Sequence, residues 1–502
     1  MGRRLFISLA LLAALAAGAC RWVLPERFAV NAPMLSMMFG GGVDAPASDT
    51  VSAIFETPPG LSVDLYASGL DNPRMLRPTP GGHLLVSLSR AGQVVILDPD
   101  RNGDGLPDAR RVLLDQLDGP HSLELHEGWL VIGVRDGVVR VRFDSETGET
   151  SGAVERLVSG LPQGGNHRTR TARYGPDGHL YVSVGSSCNV CLEEDPRRAA
   201  MLRYAADGSR EEIYATGLRN SVGFDWHPLT GALYATDNGR DLLGNDFPPC
   251  ELNEVVRGGF YGWPFVNGDG VVDPDFGAES DPRVQAARSP SFNFRAHNAP
   301  LGMTFVRDPA APAALRGAAL VALHGSWNRT RKDGYKVVSL HWQPDGSIIE
   351  RDFMTGFLTG EDRDEVLGRP VDVAEGPDGS FFVSDDYAGA IYRVAAHAAS
   401  AARPAASEPE DPAADATRAA DTDPETRTRG AELYEKFACA ECHEPERAAE
   451  GVVAVPLTEL ERRYDAGSLA TYLEHPAPPM PAFPMDAAER AALAAHLLAL
   501  DR

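Results

Sequence analysis

From residue 52 to residue 395 short apolar runs alternate with turn residues, and one phrase recurs. Pro80-Gly81-Gly82-His83-Leu84-Leu85-Val86-Ser87 returns as Pro176-Asp177-Gly178-His179-Leu180-Tyr181-Val182-Ser183 and again as Pro377-Asp378-Gly379-Ser380-Phe381-Phe382-Val383-Ser384. Looser copies start near His126, Pro228 and Arg316. Each copy sets a glycine in a tight turn ahead of a β-rich run, and a second run often follows, as at Gln93 to Leu97 and Ala390 to Val394. About six such units, spaced at roughly 40 to 60 residues, match the blades of a propeller. Almost no helical periodicity intervenes, which argues against a parallel βαβ sheet. The pattern predicts an all-β six-bladed β-propeller over residues 52–395.

The pattern changes at both ends. Arg3-Arg4, an apolar run from Leu5 to Ala17 and small residues before Cys20 read as an export signal over residues 1–20. The run is too short for a comfortable membrane span. Ala17-Gly18-Ala19-Cys20 resembles a bacterial lipobox with Ala in the usual Leu position, so lipidation of Cys20 and plain cleavage nearby both stay open. A lipid there is the one membrane link the sequence offers. Residues 21–51 read as an N-terminal linker. Over residues 396–429 the chain is Ala, Pro, Asp, Glu, Thr and Arg with scarcely a large apolar side chain, a composition that predicts a flexible tether. Residues 430–502 then show a helical pattern from Gly430 to Phe437 and a closing helix from Asp486 to Leu500, a small all-α domain.

That last segment holds Cys439-Ala440-Glu441-Cys442-His443. Two thiols at this spacing reach the two vinyl groups of one haem, and the adjoining histidine falls beneath the iron. Met480, in Pro478-Pro479-Met480-Pro481, is the expected second iron ligand, since a thioether opposite histidine gives a six-coordinate electron-transfer iron. A segment of about 70 residues is short of core, and a covalent haem c supplies the missing apolar centre. The segment therefore reads as a cytochrome c domain. Export fits it, because bacteria attach haem c outside the cytoplasmic membrane. Of the remaining cysteines, Cys188 closes a small disulfide with Cys191 or one of the two pairs with Cys250; a metal site lacks histidines at zinc spacing.

The formal charge of -24 repels phosphate backbones and excludes nucleic acid as a partner. Propellers gather functional side chains on loops at the channel ends. The polar loops here are Gly164-Gly165-Asn166-His167-Arg168-Thr169-Arg170, Gly217-Leu218-Arg219-Asn220, Asp237-Asn238-Gly239-Arg240-Asp241, Tyr261-Gly262-Trp263-Pro264, His324-Gly325-Ser326-Trp327-Asn328-Arg329 and Gly368-Arg369-Pro370. A histidine among arginines on one face suits an anionic ligand with a general base beside it.

These loops, with Leu252-Asn253-Glu254-Val255-Val256-Arg257-Gly258-Gly259-Phe260-Tyr261-Gly262-Trp263-Pro264, resemble the pyrroloquinoline-quinone-dependent glucose/sorbosone dehydrogenase family, above all its sorbosone-dehydrogenase-like branch. The resemblance implies a six-bladed propeller that holds pyrroloquinoline quinone and a calcium ion over its channel. It puts the catalytic base on His167, the pair against the quinone on Arg219 and Asn220, calcium on the backbone carbonyls of Gly239 and Arg240, and a carboxylate-binding arginine on Arg369. Two positions depart from the glucose-oxidising branch: His121 stands for its glutamine, and Asn328 with Arg329 for its lysine. These departures count against glucose itself as substrate. The implied reaction takes a proton from a sugar or aldehyde hydrate to His167 while hydride passes to the quinone, polarised by Arg219 and calcium. Electrons then reach the tethered haem and a downstream respiratory acceptor.

Asp100-Arg101-Asn102-Gly103-Asp104-Gly105-Leu106-Pro107-Asp108 spaces oxygen ligands Asp100, Asn102, Asp104 and Asp108 as a structural calcium loop does, and Asn267 to Asp273 is a weaker echo. Two other functions compete with the dehydrogenase. A calcium-dependent propeller lactonase or hydrolase needs a metal held by channel carboxylates, and a non-catalytic propeller would dock a partner to the cytochrome.

Overall fold

The computed structural model describes residues 29–31, 41–360 and 365–396 and, further on, 424–444, 447, 457, 460, 469–470, 472–473 and 483–500. The chain divides into two compact units, Met1–Ala399 and Ser400–Arg502.

In the first unit the recurring phrase builds strands buried on both faces. Leu84–Leu88, Leu180–Val184, Leu233–Asp237, Ala319–Leu323 and Phe381–Asp385 are buried along their whole length. Successive side chains point to opposite faces of a strand, so each run feeds two cores. Leu84, Val86 and Leu88 pack with Phe382 and Ile391, whereas Leu85 packs with Leu130 and Ile132. With Trp129–Val134 these are the second strands of six sheets, each running antiparallel to the first strand of its own sheet. The inner strands are Pro73–Pro78, Leu123–His126, Arg170–Tyr174, Phe224–Trp226, Pro300–Phe305 and Pro370–Glu375. The sixth blade is closed by the first strand among the described residues, Leu61–Ala67, which pairs with Ala390–Ala396 through contacts such as Val63↔Val394. Closure removes the open edges that a linear array of sheets would expose.

At the end of the channel where the inner strands finish, each blade supplies one charged residue, and the signs alternate. Arg77 meets Glu124 at 3.1 Å, Glu124 meets Arg173 at 3.5 Å, Arg173 meets Asp225 at 3.3 Å and Asp225 meets Arg307 at 2.8 Å. The Arg307 backbone N–H then donates to Glu375 at 2.9 Å. A cavity of about 710 Å³ opens beside this ring, lined by Arg77, Arg173, Arg307, Asp372 and Glu375 among others.

In the second unit, helix α1 (Pro424–Lys436) and helix α2 (Ala487–Leu500) pack on each other. A Cβ added at Gly430 would sit 2.1 Å from the Ala492 carbonyl oxygen, so only glycine admits this approach. Asp486 accepts from the Glu489 N–H and Glu489 from the Asp486 N–H, a capping box that starts α2. The sequence placed residues 424–429 in the tether, but α1 begins at Pro424. Proline is at home in the first helical turn, where its missing N–H costs nothing.

Candidate active site

The inner strand of a blade starts at the same end of the propeller at which the antiparallel second strand finishes. Loops leading into inner strands and loops leaving second strands therefore meet there. This brings His121, His167, Arg219, Asn220 and Arg369, on the entering loops, to the same end as Gly239, Arg240, Asn328 and Arg329, which follow second strands. It is the end opposite the charge ring. Two buried carboxylates fold the entering loops. Asp237 accepts the N–H groups of Arg219 (2.8 Å) and Asn220 (2.6 Å), and Asp385 accepts that of Arg369 (2.9 Å). Burial pushes these acids up, to about 7 for Asp237 and about 6 for Asp385.

His167 is half-buried, and its Nδ1 lies 3.0 Å from the Ser186 carbonyl oxygen and 2.9 Å from Ser186 Oγ. A carbonyl only accepts, so Nδ1 carries the hydrogen and Nε2 keeps its lone pair. Burial first, and then the Arg219 guanidinium, push the imidazole down to about 3, while Asp241 pulls the other way. The ring is neutral at pH 7. A Cβ at Gly185 would lie 2.5 Å from His167 Cβ and 2.8 Å from Asn220 Oδ1, so both side chains converge over that glycine.

Arg219 is buried and all five of its N–H donors are engaged. Nε donates to the Asn189 carbonyl (2.9 Å), Nη1 to the carbonyls of Asn238 (3.0 Å) and Gly239 (2.9 Å), and Nη2 to Asn189 Oδ1 (2.9 Å) and Asp241 (3.3 Å). What it offers the site is its positive charge and not a spare donor. Gly239 thus has one carbonyl lone pair taken and one left, and the neighbouring Arg240 carbonyl extends the same oxygen-rich turn. Oxygen donors of this kind fit a hard cation. The Arg240 side chain points elsewhere, bonding Asp273 through Nη1 (2.8 and 2.9 Å) and Asp275 through Nη2 (2.9 Å). Asp273 also accepts from Asn267 and from the N–H groups of Asp275 and Phe276, so the calcium echo there is an arginine clamp instead.

His121 is fully buried, and neither ring nitrogen has a hydrogen-bond partner among the described residues. Burial, with Arg74 and Arg170 adding to it, holds it neutral and well below the usual histidine range. Orphaned buried nitrogens fit a polar ligand that completes them. Arg369 donates through Nε to the His324 carbonyl and through Nη2 to that of Gly325, both at 3.1 Å. Asn328 joins the Leu242 N–H to the Ala29 carbonyl, each at 2.7 Å, and Arg329 ties Asn245, Ala296 and Asp246. These two fasten loops together.

Several participants were not singled out from sequence. Asp386 accepts from His324 Nε2 (2.8 Å), Arg74 (2.5 Å) and Asn72 (3.3 Å), joining three blades. Burial, then Arg369, push His324 down to about 4, while His324 and Arg74 hold Asp386 far below the carboxylate range against its burial. Asp386 lies two residues after the third repeat phrase, and Asp237 and Asp241 flank the Gly239-Arg240 pair; position beside a motif was the available signal. Asn189 had no such signal.

Cys188 and Cys191 form the disulfide, and Cys250 is a free, buried thiol. In the Asp100 loop the acids accept the loop's own N–H groups: Gly103 and Gly105 on Asp100, Asp104 on Asn102, Leu106 on Asp104 and Arg101 on Asp108. In the second unit Cys439 is buried, packed with Leu433, Tyr434, Leu469, Leu473 and Met485. His443 follows it on a single helical turn, Ala440–His443. A thiol in an apolar pocket with a histidine four residues on fits a covalent haem. The Cys442 side chain and Met480 lie outside the described residues.

Residues 55–251 and 268–397 match the family described as TrAA12-like, and residues 425–497 match cytochrome C oxidase, cbb3-type, subunit III. The chain belongs to the TrAA12-like family and carries a cytochrome c domain after the propeller in the sequence. It is 23% identical over 367 residues to an aldose sugar dehydrogenase of Escherichia coli, across 63% of this chain and 94% of that protein. Its fold is that of the holo pyranose dehydrogenase PQQ domain of Coprinopsis cinerea (TM-score 0.57, 22% identity, 68% of this chain and 96% of that one). It is likewise similar to the calcium structure of a Trichoderma reesei AA12 enzyme (TM-score 0.60, 20% identity, 71% and 99%).

Proposed function

We propose that this protein is an exported quinohaemoprotein dehydrogenase that oxidises a sugar or sugar aldehyde and delivers the electrons to its own haem c. The observation that carries the reading is His167: an imidazole with Nδ1 committed to the Ser186 carbonyl and Nε2 open, kept neutral beside an arginine. Such a group takes a proton from a hydroxyl at neutral pH. The field that keeps it neutral also makes the imidazolium costly once formed, and Asp241 is the carboxylate that offsets that cost.

Pyrroloquinoline quinone would lie against His121, Arg219, Asn220 and Arg369, with calcium on the carbonyls of Gly239 and Arg240. Cys439 and Cys442 would hold haem c, with His443 and Met480 on its iron. When bound, the quinone supplies the electrophile that accepts hydride, calcium the Lewis acid beside it, and the haem a one-electron acceptor. The chain's own contribution is to place positive charge (Arg219, Arg369) where negative charge develops and an open Nε2 where a proton leaves. The relatives named above support the substrate class, since they are described as aldose and pyranose dehydrogenases. A lactonase on this fold is disfavoured by Asp237 and Asp385, whose oxygens accept backbone N–H groups.

The test is purified full-length protein loaded with quinone and calcium and given a panel of aldoses and sugar aldehydes. Growth of the reduced-haem absorbance on sugar addition is expected. A panel that reduces neither the haem nor an added dye overturns the reading.

A further inference from the structure

Between the base and the arginine runs one short loop, residues 185–191, in which Asn189 makes five hydrogen bonds, all to groups outside the loop. The Asn189 carbonyl accepts from Arg219 Nε (2.9 Å) and from Trp263 Nε1 (3.3 Å). Its Oδ1 accepts from Arg219 Nη2 (2.9 Å) and from the Asp241 N–H (2.8 Å), and its Nδ2 donates to the Asp241 carbonyl (3.2 Å). The primary amide has an acceptor and a donor side by side, so it alone matches a guanidinium edge and a backbone N–H and C=O pair together.

We propose that Asn189, in the loop closed by the Cys188–Cys191 disulfide, is the positioning residue that fixes Arg219 and Asp241 relative to His167. The proposal rests on the reading of His167 as the base. The same loop grips the base itself. Ser186 supplies the carbonyl under His167 Nδ1, and Ser186 Oγ donates to the Cys188 carbonyl (2.7 Å) at the mouth of the disulfide. Its far side is held by Glu193, which accepts from the Ser187 N–H (2.6 Å) and Oγ (2.7 Å). A loop of four residues bridged by a disulfide has few conformations to sample, so Asn189 meets Arg219 with little entropy left to lose. The charged groups that act on His167 are Arg219, Asp241 and Arg198; the first two are bound by Asn189, and Arg198 donates to the carbonyls of Gly185, Gln163 and Gly164.

The experiment compares Asn189→Ala, Asn189→Asp and the double variant Cys188→Ser/Cys191→Ser with wild type and with His167→Gln, all as the full chain. The His167 ring is titrated by NMR on histidine-labelled protein without cofactor, assigned by loss of its signal in His167→Gln. Loosening Arg219 removes positive charge from beside the ring. The His167 midpoint in Asn189→Ala should therefore rise by about 1 pH unit, a tenfold gain in proton affinity. With quinone and calcium bound, sugar turnover should fall about tenfold while KM stays within about twofold. Asn189→Asp keeps the acceptor oxygens toward Arg219 and should recover most of the turnover, and the double cysteine variant should shift both readouts in the Asn189→Ala direction. An Asn189→Ala protein that melts earlier but keeps the wild-type His167 midpoint and turnover overturns the proposal. Full turnover in His167→Gln would instead remove the base assignment, and the midpoint alone then decides whether Asn189 sets the charges around that ring.

Discussion

His167 Nδ1 stands 3.0 Å from the carbonyl oxygen of Ser186, nineteen residues further along the chain and on the other side of a blade's first hairpin. That one contact selects the tautomer and leaves Nε2 as the basic atom. His167→Gln preserves polarity and rough size but removes the titratable nitrogen. Turnover should fall by about a hundredfold or more, the usual contribution of a general base, with quinone affinity retained. Near-normal rates at confirmed quinone occupancy would show that another group takes the proton.

His121 is the buried ring with nothing to bond. Replacing it by leucine removes two unsatisfied nitrogens, so apo stability at pH 7 should hold or rise. Quinone binding should weaken about tenfold if those nitrogens contact it. The pH dependence has a definite sign. The folded state holds His121 neutral below the pH at which the unfolded chain takes up a proton, so this residue costs stability as pH falls below about 6.5. His121→Leu should therefore lose less stability than wild type between pH 6.5 and 4.5, read by denaturant titration. Parallel curves for the two proteins would refute the assignment.

Asp225 anchors the alternating ring, with Arg307 and Arg173 both on its carboxylate. Asp225→Ala leaves two arginines without their shared counter-charge and should cost about 3 to 5 kcal/mol of propeller stability. Sugar turnover at 25 °C should change little, because the ring lies at the channel end away from His167. A loss under about 0.5 kcal/mol would mean that water replaces the carboxylate at no cost.

Met485 is buried in the apolar cluster around Cys439. Met485→Ala should destabilise the cytochrome unit by about 2 to 5 kcal/mol through the cavity it leaves, with the thioether–iron absorbance unchanged. Met480→Ala should abolish that absorbance. The reverse pattern would move the sixth ligand to Met485.

Cleavage inside residues 397–423 should leave a propeller that reduces an artificial dye at the wild-type rate but reduces its haem only in proportion to concentration, since a linker supplies proximity and no chemistry. Haem reduction that stays fast on dilution of the cut protein would count against the tether.

Much of this molecule is local, and so could be read from the chain. Each turn-and-strand phrase is specified within eight residues by a glycine turn and a run of apolar side chains, and repetition of the phrase fixed the number of blades. The haem signature is local too, because its two cysteines and its histidine fall within five consecutive residues, Cys439 to His443. The Asp486 cap lies three residues from its partner Glu489. What tertiary structure alone decided is everything in which partners come from different blades. Asn189 meets Arg219 across thirty positions and Asp241 across fifty-two, and Asp386 meets Arg74 across more than three hundred. An asparagine between two cysteines has no pattern of its own, since its role depends on which guanidinium the ring closure delivers to it. The same holds for the charge ring, where six unremarkable residues become a pattern only when Leu61–Ala67 pairs with Ala390–Ala396 and the blades close into a circle.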